Sequence, residues 1–266
     1  MIVYYNGAYL PADQVKISPQ DRGFLLGDGV FETIYVNQGK IECLKAHEIL
    51  LHQNAQELRL VCPPELDHLK QIIDHLMELN NLKLTSAAVR VTLTRGVGQR
   101  GLLPPPQNVP TLLVTISPYD RKMQSWRLAV ANDRAMANRL TSVKHLGYQQ
   151  AILARLEAQD QGYDDAVFFN EHNNLIGATV ANVFVFCQGN WLTPPVSSGA
   201  RPGVMRGRVL ERSLATVQNI SLTMVKEDVE AMVLTNSLMG IQPVQQLDDQ
   251  ELDVAHAKDL IHKFYA

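Results

Sequence analysis

The β-rich runs of this chain follow one another instead of alternating with helices, and that ordering narrows the folds open to it. MIVYYNG, FETIYV, KIECL, AAVRVTLT and TLLVTIS fill the first part around one helical pair, and RLAVAND, DDAVFFN and TVANVFVF return after residue 126. A doubly wound dinucleotide-binding sheet needs a helix between successive parallel strands, whereas strands met in succession pair as hairpins and meanders. The expected class is mixed α/β (α+β), without a regular βαβ repeat.

Local punctuation agrees. FETIYV and KIECL flank Asn37-Gln38-Gly39, whose glycine can supply a positive φ for a hairpin. From Ala46 to Leu60 the apolar residues Ile49, Leu50, Leu51, Ala55 and Leu58 recur near helical spacing, and Pro64 precedes the amphipathic ELDHLKQIIDHLMEL. Further helices are expected at Gly147 to Gln161, Val204 to about Thr216 and Val254 to Phe264, with short strands near Leu222 and Val233. The loop RGVGQRGLLPPPQNVP, residues 95–110, has the length of a lid, a binding loop or a disordered connector. The polar PYDRKMQ marks a linker at 118–124, dividing an N-terminal α/β lobe (1–117) from a C-terminal α/β lobe (125–266) that carries Lys144.

Charge and composition exclude several kinds of partner. A net charge of -3 and a pI near 6.2 supply no basic field for nucleic acid or an anionic membrane. Cys43, Cys62 and Cys187 are too few and scattered for a disulfide framework or a zinc cluster, and the eight histidines show no ligand spacing, so no metal is expected. The start MIVYYNGAYL has no basic head followed by an apolar run, and no apolar segment approaches bilayer length. The chain reads as a cytoplasmic protein acting on small molecules.

Lys144, in TSVKHLGYQQA, stands where an extended segment gives way to a helix. A lysine taken at random is a solvated charge. This one lies between Val143 and Leu146, ahead of a helix carrying Tyr148, Ala151, Ile152 and Leu156, so its stem is expected in an apolar setting. Desolvation there would favour a neutral amine able to form a Schiff base. Gly203-Val204-Met205 opens the expected helix at 204, and free N–H groups at a helix N-terminus bind phosphate. Gly27-Asp28-Gly29 lacks the Gly-Lys-Ser/Thr continuation of a nucleotide loop and reads as a tight turn.

The succession DRGFLLGDGVFET, TRGVGQRG, VKHLGYQQA, ATVANVFVF, LTPP, PGVMRG and TNSLMGIQPV resembles the class IV, fold-type IV family of pyridoxal-phosphate (PLP) enzymes, over nearly the whole chain. That family includes branched-chain and D-amino-acid aminotransferases and 4-amino-4-deoxychorismate lyase. The resemblance implies two α/β lobes, PLP between them, and a homodimer whose loops complete each other's site. It makes Lys144 the Schiff-base lysine and proton shuttle, and it assigns Val204 and Met205 to the phosphate through their backbone. Ser237 aligns with a phosphate-binding hydroxyl, with a strand-end turn as its alternative role. Tyr148 lies near a phenol that meets the cofactor's ring oxygen, with helix packing as the alternative.

TRGVGQRG is similar to the lyase loop, so Arg95 and Arg100 are candidate contacts for a substrate with two carboxylates; Arg95 has a structural alternative. Phe31 and Leu102 stand where the D-amino-acid aminotransferases carry a tyrosine and a histidine, which disfavours that subclass. Two positions depart from the family. Leu50 replaces a phosphate-pairing arginine, and Gly177 replaces the glutamate that keeps the pyridine nitrogen protonated. The resemblance thus points to a PLP-dependent lyase converting 4-amino-4-deoxychorismate to p-aminobenzoate and pyruvate in folate synthesis, with PLP weakly held. A class IV aminotransferase and a non-catalytic scaffold for ligand or protein binding are the alternatives.

Overall fold

The computed structural model describes all 266 residues, and the chain forms two compact units: 1–120 with 143–147, and 121–142 with 148–266. In the first unit the elements run β1 (Ile2–Tyr5), β2 (Ala8–Pro11), α1 (Arg22–Leu26), β3 (Gly29–Asn37), β4 (Lys40–Ile41), α2 (Leu44–Glu57), α3 (Leu69–Leu79), β5 (Ala87–Thr94) and β6 (Thr111–Pro118). The strands make an antiparallel sheet in the order β2-β1-β6-β5-β3-β4. The expected hairpin forms, with Gln38 and Gly39 both at positive φ (46° and 83°) as a tight two-strand turn requires.

One face of this sheet is a core. Val30, Ile34 and Val36 of β3, Val89, Val91 and Leu93 of β5, and Leu112, Val114 and Ile116 of β6 alternate inward. They meet Leu51 and Ala55 of α2 and Leu69, Ile72, Ile73 and Leu76 of α3, spaced at three and four residues along one helical stripe. One polar pair interrupts the core: His47 Nδ1 lies 2.8 Å from Glu32 Oε2. The opposite face, by the same alternation, carries Phe31, Thr33 and Tyr35 beside Arg90 and Thr92.

The segment 143–147 belongs to this unit, whereas the sequence placed Lys144 with the C-terminal lobe. The reason is backbone pairing. Strand β4 covers only the end of β3, and the segment covers its start: the Phe31 N–H donates to the Lys144 carbonyl at 2.9 Å, and the Leu146 N–H donates to the Gly29 carbonyl at 3.0 Å. Val143 adds its side chain to the core.

The second unit contains β7 (Trp126–Val130), α4 (Gln149–Asp160), β8 (Asp165–Phe169), β9 (Leu175–Ala178), β10 (Asn182–Cys187), β11 (Asn190–Thr193), α5 (Val204–Glu211), β12 (Thr216–Val217), α6 (Leu222–Glu227), β13 (Ala231–Asn236), β14 (Gly240–Leu247), β15 (Gln250–Glu251) and α7 (Val254–Tyr265). Its mixed sheet runs β12-β11-β10-β13-β14-β7-β8-β9, with β15 on β14. Along β13, Met232 and Leu234 face one cluster, while Ala231 and Val233 face another built with Met205 and Val209 of α5 and Ala257, Leu260 and Phe264 of α7. Helix α4 lays Ala154 and Ala158 on Ala166 and Phe168 of β8.

Three expectations change here. The segment at Leu222 is a helix, not a strand, because the Ser221 hydroxyl accepts from the Met224 N–H at 3.1 Å and caps it. Helix α5 stops at Glu211, short of Thr216, where Ser213 turns left-handed at φ 56°. The run TVANVFVF begins as a turn: the Ala178 N–H donates to the Ala181 carbonyl at 2.9 Å, and the strand starts at Asn182. No helix is long and apolar enough to cross a membrane, and no group of three or more His, Cys, Asp or Glu is placed to hold a metal.

Candidate active site

In the first unit the chemistry gathers on the face of β3 turned away from the helices. Lys144 is held by its backbone, half-buried, with Nζ 4.3 Å from the centre of the Phe31 ring. The guanidinium of Arg90 lies against the same ring at 3.7 Å, and its Nε donates to Thr92 Oγ1 at 3.2 Å. The Lys144 amine and the Arg90 guanidinium thus both meet one phenyl ring. Sequence reading passed over Arg90. The signal was there, an arginine alone among the apolar and threonine residues of AAVRVTLT, on the face that β-alternation turns away from the core.

Arg95 is a correction. It is 8% exposed, and its guanidinium is spent within the protein. Nε and Nη2 donate to the two Asp28 carboxylate oxygens at 2.7 and 3.0 Å, and Nη1 and Nη2 donate to the carbonyls of Arg59 and Leu58 at 2.9 and 2.7 Å. It therefore anchors the loop and leaves no fork for a substrate. Arg22 completes the anchor, with Nε on Asp28 Oδ2 at 2.8 Å and its two Nη atoms on the carbonyls of Gly101 and Leu102 at 2.9 and 2.7 Å. Burial would raise the Asp28 carboxyl, but hydrogen bonds and charge from Arg95 and Arg22 outweigh it and hold its pKa below the ordinary value. Arg100 lies exposed on the loop so fastened, with no hydrogen bond or ion pair. The tight-turn reading of Gly27-Asp28-Gly29 agrees with Gly27 at φ 66°, ending α1.

In the second unit, no side chain caps the start of α5 and no acidic residue occupies its first turn. Asn182 Nδ2 donates to the Arg201 carbonyl at 2.7 Å, and its Oδ1 stands where a Cβ on Gly203 would fall. Only glycine lets the chain enter the helix so close to that amide. Gly203→Ala should therefore cost about 1–3 kcal/mol through overpacking, read as a lower melting temperature; an unchanged melt would show that Asn182 gives way freely. Ser237 is half-buried in the turn joining β13 to β14, where its carbonyl accepts from Arg121 Nη2 at 2.8 Å. Tyr148 immediately precedes α4 and is half-buried.

Leu50 is half-buried on α2, one helical turn beyond the buried His47. Gly177 is buried on β9, with no positive φ, and a Cβ there would lie 3.1 Å from the Ala181 carbonyl oxygen. The buried acid of this region does not replace the missing glutamate. Asp165 shares the face of Val167, which pairs with Ala178, whereas Gly177 pairs with Phe168 on the other face. Burial pushes the Asp165 carboxyl above its usual range against hydrogen bonds from Thr179 and the Ala166 amide.

An amine set by backbone pairing, a cation beside it and an uncapped helix entrance are parts that PLP chemistry needs, and a family model for class IV aminotransferases matches residues 29–247. The chain belongs to the class IV aminotransferases. Enzymes of this family depend on PLP. Among the class IV relatives, the aminodeoxychorismate lyase of Vibrio harveyi is 28% identical across 93% of this chain and 92% of its own. A Methanocaldococcus jannaschii protein, provisionally named a branched-chain-amino-acid aminotransferase, is 27% identical across 99% of this chain and 93% of its own. The branched-chain aminotransferase of Thermoproteus uzoniensis, solved with norvaline, superposes with a TM-score of 0.91 at 20% identity over 100% of this chain and 93% of that one, a likeness of fold. Taken unit by unit, the Lys144 amine has the chemistry to hold PLP as an imine, the uncapped start of α5 has that to hold a phosphate, and position 177 carries no acid.

Proposed function

We propose that this chain is a PLP-dependent lyase that splits 4-amino-4-deoxychorismate into p-aminobenzoate and pyruvate. The observation that carries the reading is the Phe31 ring bearing both the Lys144 amine and the Arg90 guanidinium, which supports Lys144 as the lysine that would form the Schiff base and Arg90 as a cation that would meet a substrate carboxylate. Bound PLP would supply an electron sink to the substrate amine through its imine. Lys144 Nζ would take the proton from the amine-bearing ring carbon and return one to the departing enolpyruvyl group, which leaves as pyruvate. Arg90, with Arg100 on the loop, would hold the substrate carboxylates. Val204 and Met205 would receive the phosphate on their N–H groups, with Ser237 and Tyr148 as further cofactor contacts.

Gly177 favours cleavage over transamination, because formation of an aromatic ring drives the lyase reaction and relieves the demand on the electron sink. The similarity to the Vibrio harveyi lyase supports the same reading. An amino-acid aminotransferase is the second reading, favoured by the Methanocaldococcus jannaschii relative. The exposed apolar side chains Phe24, Leu25 and Leu26 of α1, with Leu102 and Leu103 on the loop that Arg22 fastens beside it, support a homodimer that covers them.

The test is to supply PLP and 4-amino-4-deoxychorismate and to follow pyruvate and p-aminobenzoate, then to offer amino acids without a keto-acid acceptor. Equimolar release of both products, without accumulation of pyridoxamine phosphate, is expected. Pyridoxamine phosphate without aromatic product would replace the lyase with the aminotransferase reading, and failure to form any PLP adduct would leave the non-catalytic scaffold. Arg90→Gln should raise KM for the diacid about tenfold or more through loss of a charge-assisted hydrogen bond, with PLP affinity unchanged; equal weakening of both would remove Arg90 from substrate binding.

A further inference from the structure

Of the buried polar groups in the second unit that lack partners, two, on Thr235 and Arg206, belong to the surroundings of the α5 entrance. Thr235 is 1% exposed and its hydroxyl has no hydrogen bond. It sits directly opposite Asn182 across the β13–β10 pair, and Asn182 is the residue whose amide abuts Gly203 at the start of α5. Its side chain shares the face of Val233, which packs with Met205 of α5. Arg206, in the first turn of α5, is 7% exposed; its Nη2 donates to the Pro194 carbonyl at 3.0 Å, its Nε has no partner, and it makes no ion pair. A buried guanidinium without a counter-ion and a buried hydroxyl without a partner are each costly unless an anion answers them. Helix geometry helps: a side chain in the first turn leans toward the N-terminus, where the unclaimed N–H groups lie.

We propose that Thr235 and Arg206 complete a phosphate-dianion site at the N-terminus of α5, with Arg206 supplying its positive charge. The Thr235 hydroxyl donates to one phosphate oxygen, the Arg206 Nε to another, and the N–H groups of Val204 and Met205 to the rest. The proposal rests on the preceding reading only for the identity of the ligand, PLP; the site itself recognises a phosphate monoester or free phosphate.

The experiment compares PLP, pyridoxal and inorganic phosphate on the full chain, with binding followed by fluorescence titration and by thermal unfolding. PLP is expected to bind at least about tenfold more tightly than pyridoxal, and inorganic phosphate to raise the melting temperature. Thr235→Val, nearly isosteric, should lower PLP affinity about tenfold and abolish the phosphate stabilisation while leaving pyridoxal affinity unchanged. Thr235→Ser should retain both phosphate effects. Arg206→Lys, which keeps the charge but loses Nε, should weaken PLP without affecting pyridoxal. Equal affinity of the wild-type chain for PLP and pyridoxal, or a Thr235→Val chain with unaltered PLP and phosphate binding, would overturn the site. Phosphate stabilisation through Thr235 without any borohydride-trapped adduct on Lys144 would instead support this site and overturn the proposed lyase.

Discussion

Lys144→Ala is expected to remain folded, to form no borohydride-stable adduct with PLP, and to lose turnover by about 10²–10⁴-fold or more, the contribution of a positioned general base alone. Folding survives because the segment is held by groups the substitution leaves in place: the Lys144 carbonyl on the Phe31 N–H, the Leu146 N–H on the Gly29 carbonyl, and Val143 in the core. Only the amine beside the Phe31 ring is removed. Mass spectrometry after borohydride reduction and proteolysis locates the label in the wild-type chain. A label that persists in the variant would take Lys144 out of the chemistry.

Asp28→Asn carries the largest expected loss of stability, about 3–5 kcal/mol, the range for breaking a buried ion pair by removing one partner. The guanidinium groups of Arg22 and Arg95 share this carboxylate, and their side chains are only 5% and 9% exposed, so a neutral amide leaves two buried cations uncompensated. The sign of the pH dependence follows from the depressed Asp28 pKa. Its contribution is fully present above the ordinary aspartate range and is lost as pH falls through the lower folded value. Acid unfolding of the wild-type chain should therefore be steeper than that of the variant. Because Arg22 also fastens the carbonyls of Gly101 and Leu102, trypsin should cut sooner after Arg100 in the variant. Unchanged melting and unchanged cleavage together would show that the three side chains are not coupled.

Much of the fold was legible because its signals are short-range. AAVRVTLT is a strand over its whole length, the Asn37-Gln38-Gly39 turn takes the positive φ that its glycine offers, and the stripe of α3 follows from spacing alone. The failures share another character. Leu222 was ambiguous because six residues carry too little periodicity to separate a strand from a capped helical turn. Membership of Lys144 in the first unit rests on pairing with a strand more than a hundred residues earlier, which no local pattern encodes. Arg95 shows the same limit in the site. Its residue type suits a substrate carboxylate, but its donors are committed to Asp28, Leu58 and Arg59, and that commitment is visible only in three dimensions. Arg90 lay in plain view as the exposed-face position of a correctly read strand, and was missed because its neighbours supplied no motif.

The discontinuity of the first unit has a consequence for the order in which the protein is made. When residues 1–120 have left the ribosome, the start of β3 still lacks its outer neighbour, and the Phe31 amide has no carbonyl to meet. The missing residues arrive only after 121–142, which belong to the other unit, have been synthesised. A fragment ending at 120 would carry an unpaired strand edge open to pairing with another chain. The nascent first unit cannot close that edge until translation passes residue 147, and the Lys144 amine arrives in the same few residues that close it. A chain halted before residue 143 is therefore also one without Lys144, so that amine and the sealing of the sheet arrive together.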